Sequence, residues 1–168
     1  MNYNNAEPAV YVGTYKKYNE GSLFGRWMKL EDYSDFDSFV EACRELHKDE
    51  EGPEFMCQDF EGLPKSQYCE AGLGWLEKFY DLMDMDEEDQ NKVLEYWDNV
   101  WDGADPQTVL DRYFCDYMDD DDFGYYLVHE LDCIEIPESV ESYFDYERYG
   151  RDCKYDFYVT DNYIFSTN

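Results

Sequence analysis

Charge constrains this chain more than any other feature. Forty-two Asp and Glu residues against 13 Lys and Arg leave 168 residues at a formal −29, and a charge so far from neutrality drives any compact state apart. Such a chain folds only if its apolar residues bury a large area each. Aromatic residues supply that area: they are 20% of the sequence, with 18 Tyr, 11 Phe and 4 Trp. A chain of equal charge but few rings reads as disordered; this one reads as folded, because each ring removes much apolar surface from water.

Other classes fall away quickly. No stretch approaches the ~18 consecutive apolar residues of a membrane helix. The segment Met1–Pro8 is short and polar, with neither a basic start nor an apolar run, unlike a secretory signal. The expectation is a soluble, cytoplasmic protein. Cys43, Cys57, Cys69, Cys115, Cys133 and Cys153 contain no C-x-x-C pair, and the chain has only two histidines. Zinc ligation needs close ligand pairs, and a reducing compartment disfavours disulfides. The six cysteines are expected to be buried or partly buried free thiols.

Patterning gives an α+β class in three small domains. Residues 8–64 hold 13 acids and 6 bases, residues 65–105 hold 12 and 3, and residues 106–168 hold 16 and 4, so acidity is spread through the whole chain. In the first domain Val10–Tyr15 and Leu23–Leu30 read as paired strands around the turn Lys16–Gly21. A helix through Phe36, Phe39, Val40, Cys43 and Leu46 follows Ser34 as N-cap, then a strand Phe55–Phe60. The middle domain reads as two helices with the stripes Leu73, Leu76, Tyr80, Met83 and Val93, Trp97, Val100, Trp101. In the third, Asp105-Pro106 opens a short helix, Arg112–Met118 reads as a strand and Tyr125–Leu131 as a helix. One further helix is expected from Pro137 through Val140, Tyr143, Phe144 and Glu147 to a stop at Gly150. Strands Phe157–Thr160 and Tyr163–Phe165 end the chain.

Candidate chemistry is sparse. Asp119–Glu130 has calcium-loop residues at positions 1, 3, 6 and 12, but Phe123 at position 5 offers no oxygen, and Asp84–Glu95 has Asp89 where the loop needs glycine. With a quarter of the residues acidic, carboxylate pairs arise by chance and cannot mark an acid–base couple. His47 and His129 read as partly buried or surface histidines. There is no phosphate loop, nucleophile elbow or metal-ligand cluster, so no catalytic residue, metal or cofactor is expected. Direct nucleic-acid binding is disfavoured by sign, because phosphates repel this surface. A basic groove built for DNA would attract it.

Three stretches carry a family resemblance. Residues 137–152 (PESVESYFDYERYGRD) look like the antirestriction motif of the ArdA proteins, DNA mimics encoded on plasmids and conjugative elements. Val10–Tyr15 followed by Tyr18-Asn19-Glu20-Gly21 and Gly25-Arg26-Trp27 is a second match, and Gln58-Asp59-Phe60-Glu61 before Leu63-Pro64 a third. The resemblance implies domains at 8–64, 65–105 and 106–168 in an elongated chain that forms a homodimer through its C-terminal domain. It also implies a partner, the DNA-binding groove of type I restriction–modification enzymes, where cleavage and methylation would both be blocked. Twice the charge of −29 equals the phosphates of roughly 29 base pairs, on the order of 100 Å of duplex.

The motif residues singled out are Tyr143, Asp145, Tyr146, Glu147, Tyr149, Gly150, Arg151 and Asp152, expected to serve fold and dimer contact. The carboxylates expected to stand for phosphates are Asp84, Asp86, Glu87, Glu88 and Asp89, with Asp119, Asp120, Asp121 and Asp122. Two other functions fit the charge: an acidic module for another basic or DNA-binding protein, and a calcium-binding protein.

Overall fold

A computed structural model describes residues 6–167. The chain is α+β and divides between Gln107 and Thr108 into two compact units, so the stretches 8–64 and 65–105 fall in the first. No helix is long and apolar enough to cross a membrane among the described residues.

The first unit is built on an antiparallel sheet of β1 (Ala9–Thr14), β2 (Arg26–Lys29) and β3 (Phe55–Glu61), with β1 central. Val10 and Val12 point to one face, as the period of two requires, and both are fully buried. Val10 lies opposite Met28 on one side and Phe60 on the other. The expected strand from Leu23 is shorter than its pattern, since Leu23 and Phe24 lie outside the ladder and are exposed. The expected turn after β1 contains a short helix, α1 (Tyr15–Asn19), whose first turn is capped by Thr14.

Helix α2 (Phe36–Leu46) buries Phe39 and Cys43. Its N-cap is Asp35, not Ser34: Asp35 accepts from the Ser38 amide at 2.7 Å, while Ser34 Oγ donates to Asp35. A carboxylate at that position also meets the positive end of the helix dipole, and its hydrogen bonds hold the Asp35 pKa below the usual carboxylate value, the Ser38 side chain first among them.

Helices α3 (Glu77–Met83) and α4 (Glu87–Asn99) follow. The rings of Tyr68, Trp75, Phe79 and Trp97 touch in sequence at centroid separations of 5.2–5.9 Å, and Tyr80 donates to the Leu30 carbonyl at 3.1 Å. Each ring brings about 150–250 Å² of surface, about 4–6 kcal/mol of gross burial at ~25 cal/mol per Å². That is how a chain this acidic holds a core. Trp101 departs from its expected stripe and is 69% exposed. The helix stops at Asn99 and Val100 is extended, so the 3.6-residue period no longer applies to it.

Helix α5 (Pro106–Arg112) starts at its proline as expected. In the second unit β4 (Tyr113–Asp116), β5 (Phe157–Val159) and β6 (Tyr163–Ser166) form an antiparallel sheet with β6 in the middle. Helix α6 (Asp120–His129) begins five residues before the expected start at Tyr125. The single helix expected from Pro137 to Gly150 is two: α7 (Glu138–Glu141) and α8 (Tyr146–Lys154). Asp145 starts α8 by accepting from the Arg148 amide at 3.0 Å, and Gly150, read as a stop, lies inside it. Cys115, Phe123, Leu127 and Ile164 make the core, with Phe114, Tyr149, Cys153 and Phe157 packed on it. All six cysteines are free, but Cys69 and Cys133 are exposed, outside the burial expected of them.

Candidate functional site

The two signs of charge are unequally exposed: 37 of the 42 Asp and Glu residues lie open to solvent, against eight of the 13 Lys and Arg. The exceptions among the acids are Asp89, Glu95, Asp120 and Glu141, which are partly shielded, and Glu50, whose side chain is only 5% exposed. Several lysines instead turn inward. Lys92 is buried, 2.7 Å from Glu88 and 3.3 Å from Asp89, and its pKa is raised, chiefly by the hydrogen bond to Glu88. Lys154 donates to the Met118 carbonyl at 2.6 Å and to Asp120 at 2.9 Å, with its ammonium 4.9 Å from the Tyr117 ring centre. Lys78 sits 5.0 Å from the Trp97 ring centre and bonds Gln67; burial lowers its pKa. Lys stems pack against apolar neighbours while their heads satisfy local acceptors. These cations hold the fold, and the excess carboxylates are left to the surface.

The two acidic runs are helix starts. Asp86 caps α4, accepting from the Asp89 amide at 3.0 Å, and Glu87, Glu88 and Asp89 fill its first turn. Asp119 caps α6, accepting from the Asp122 amide at 2.9 Å, and Asp120, Asp121 and Asp122 fill that first turn. The positive end of each helix dipole offsets part of the crowding of like charge. Asp84, Asp86, Glu87 and Glu88 are exposed, as are Asp119, Asp121 and Asp122. Because 119–130 is a cap followed by helix, its carboxylates do not wrap a common centre as a calcium loop does. Among the described residues no group of three or more His, Cys, Asp or Glu side chains is placed to hold a metal ion.

The 137–152 motif presents two faces. On the inner one, Tyr149 packs against Phe144 and the core, its pKa pushed up to about 12 by burial and then by Cys153. Gly150 is buried against α6: a Cβ there would lie 1.9 Å from the Asp120 carbonyl oxygen. Tyr146 shares a 2.8 Å hydrogen bond with His129 Nε2 and touches the Tyr125 and Phe144 rings. On the outer face Glu147, Arg148, Arg151 and Asp152 are exposed. Arg148 and Arg151 approach Asp152 only at 3.9 and 4.0 Å, exposed pairs worth little. Tyr143 is 86% exposed between α7 and α8.

The structure joins motif and acidic run at one place. Glu147 lines a shallow concavity with Tyr117, Asp119, Asp120 and Asp121. The α4 run belongs to the other unit. Sequence reasoning passed over Lys92, although its spacing of three and four from Asp89 and Glu88 is a helical ion-pair signal. Lys154 gave no local signal, because its partners are distant in sequence, and Gly124 fitted position 6 of a calcium-loop pattern although it packs against Gly150 of α8.

The structure is that of an acidic α+β protein with most carboxylates outward and several lysines turned inward. The family model for the antirestriction protein ArdA matches residues 10–165, and this chain belongs to the ArdA antirestriction family. Its function is therefore antirestriction, the inhibition of restriction enzymes. No curated protein sequence matches the chain.

Proposed function

We propose that the chain is a DNA mimic that occupies the DNA-binding groove of type I restriction–modification enzymes and blocks both cleavage and methylation. One observation carries this reading: carboxylates cover the surface while Lys17, Lys78, Lys92 and Lys154 are turned toward the interior. A groove shaped for phosphates meets negative charge at close spacing and releases the counterions of both partners. Single carboxylates then matter little, and their sum matters greatly.

Three further features belong to this proposal. The protein acts in the cytoplasm, where such enzymes meet DNA. It acts as a homodimer, joined through the C-terminal part, where Leu131, Ile134, Val140 and Tyr143 are exposed. Residues 65–105 act as a helical domain of their own within the first unit.

The test adds the protein to a type I enzyme and measures DNA cleavage and methylation over a range of salt. Loss of both activities, relieved by salt, is the expected result. Inhibition of neither defeats the proposal, and inhibition of cleavage alone defeats the groove-occupancy mechanism. Sedimentation velocity tests the dimer, with Y143A expected to shift it toward monomer.

A further inference from the structure

The first unit encloses a polar cluster that the carboxylate surface does not use. His47, just past the end of α2, has a fully buried side chain. Its Nε2 lies 3.4 Å from the Val12 carbonyl oxygen and its Nδ1 lies 3.1 Å from the Lys17 ammonium. A carbonyl only accepts and an ammonium only donates. The ring is therefore neutral, with its proton on Nε2 and its Nδ1 lone pair facing Lys17.

The groups facing this ring come from four elements. Lys17, on α1, also reaches Asp49 at 2.8 Å and Glu50 at 3.3 Å. Glu50 lies 3.9 Å from Nδ1 and accepts from the Thr14 hydroxyl at 2.7 Å. Phe24, from the segment before β2, meets the imidazole edge-on at 5.6 Å and also lies under the Lys17 ammonium at 4.4 Å; Phe55 of β3 closes the other side at 6.1 Å. Any added proton must go on Nδ1, directly toward the ammonium. Glu50 is more distant and already accepts two donors, so it offsets this only in part. Burial first, and Lys17 second, hold the His47 pKa below its ordinary value.

We propose that His47 is a proton-operated latch. Neutral, it holds α1 against the end of α2 through Lys17 and seats Phe24. Protonated, it repels Lys17, and the segment 15–25 comes away together with the exposed side chains of Tyr18, Leu23 and Phe24. The direction follows from linkage. A histidine whose folded pKa is depressed stabilises the closed form above its unfolded value of about 6.5, and that contribution is lost as pH falls through the folded pKa. The latch does not depend on which enzyme the protein inhibits.

Hydrogen exchange on the full chain between pH 8 and pH 5, corrected for intrinsic rates, tests it. Protection in residues 15–25 is expected to fall about tenfold or more as His47 protonates, while α4 keeps its protection. In H47Q the amide donates to Val12 and accepts from Lys17 but cannot take a proton, so the loss should vanish. Constant protection in the wild type, or an equal loss in a folded H47Q, overturns the latch. If H47Q does not fold, NMR titration of the His47 ring replaces it. A midpoint below about 6.5 that rises in K17M supports the latch, and a midpoint indifferent to K17M overturns it.

Discussion

Gly124 of α6 and Gly150 of α8 meet backbone to backbone: a Cβ built on Gly124 would lie 3.0 Å from the Gly150 amide nitrogen, and one built on Gly150 would lie 2.6 Å from the Gly124 nitrogen. The same Gly124 Cβ would sit 2.1 Å from the Tyr146 carbonyl oxygen. No flexible side chain stands at these contacts to move aside. The glycine of the antirestriction motif is thus explained by a helix crossing, and its partner lies outside the motif.

Either G124A or G150A should destabilise the second unit by about 1–3 kcal/mol, the usual cost of overpacking. The sign is diagnostic, because Gly→Ala inside an exposed helix normally stabilises by roughly 0.5–1 kcal/mol. Urea titration followed by hydrogen exchange in α6 and α8 measures it. Unchanged or increased stability would mean that the helices do not approach so closely.

Local patterns made most of the fold legible. The alternation in Val10–Val12 and the helical spacing of Phe39 and Cys43 read correctly, because one buried face decides each. Failures came where a distant or capping contact overrides the pattern. Gly150 resembles a helix stop until Gly124 is placed against it, and Asp145 breaks the helix expected from Pro137 by capping α8. Trp101 continues a stripe on paper, but the helix has already ended. The acidic runs were visible as charge, whereas the inward turn of Lys92 and Lys154, which pair with Glu88, Asp89 and Asp120 of those runs, was not.

Asp119 separates capping from charge. Asn caps as well as Asp, whereas alanine loses about 1 kcal/mol. D119N should therefore keep the stability of α6 within a few tenths of a kcal/mol, and D119A should not, as read by thermal melts. Both remove the same charge, so inhibition of a type I enzyme should fall equally slightly in each. A large loss confined to D119A would assign the residue to structure alone.

Thiol reactivity should follow burial. Cys69 and Cys133 are exposed, whereas burial pushes the Cys43 and Cys57 thiols up to about 12 and Cys115 to about 11. Such rises cut the reactive thiolate near pH 8 roughly a thousandfold for Cys43 and Cys57 and roughly a hundredfold for Cys115. Ellman's reagent at pH 8 should modify Cys69 and Cys133 quickly and the buried three only in denaturant, with peptide mapping to assign them. Rapid modification of Cys57 in the folded protein would contradict this packing.

Lys154 ties the end of α8 to Met118 and Asp120, with its side chain 11% exposed. K154M keeps the stem and removes the charge, leaving the Met118 carbonyl without this donor and Asp120 without this cation. A cost of about 1–3 kcal/mol is expected, the usual penalty for stranding shielded polar partners. K154M/D120N should recover part of it. A double-mutant cycle by urea denaturation measures the coupling, and strict additivity would show that the pair contributes nothing.

Salt should act on this protein in opposite directions at two levels. Self-repulsion at −29 opposes folding, and added ions screen it, the Debye length falling from about 10 Å at 0.1 M to about 3 Å at 1 M. Thermal stability should therefore rise with sodium chloride. If the proposed basic groove is the target, inhibition of a type I enzyme should weaken over the same range, because the same ions compete for it. Melting temperature and inhibition measured in one salt series give both slopes. If the melting temperature fell as inhibition fell, the loss of inhibition would reflect unfolding. A rising melting temperature with falling inhibition isolates the electrostatic contact between folded carboxylates and their partner.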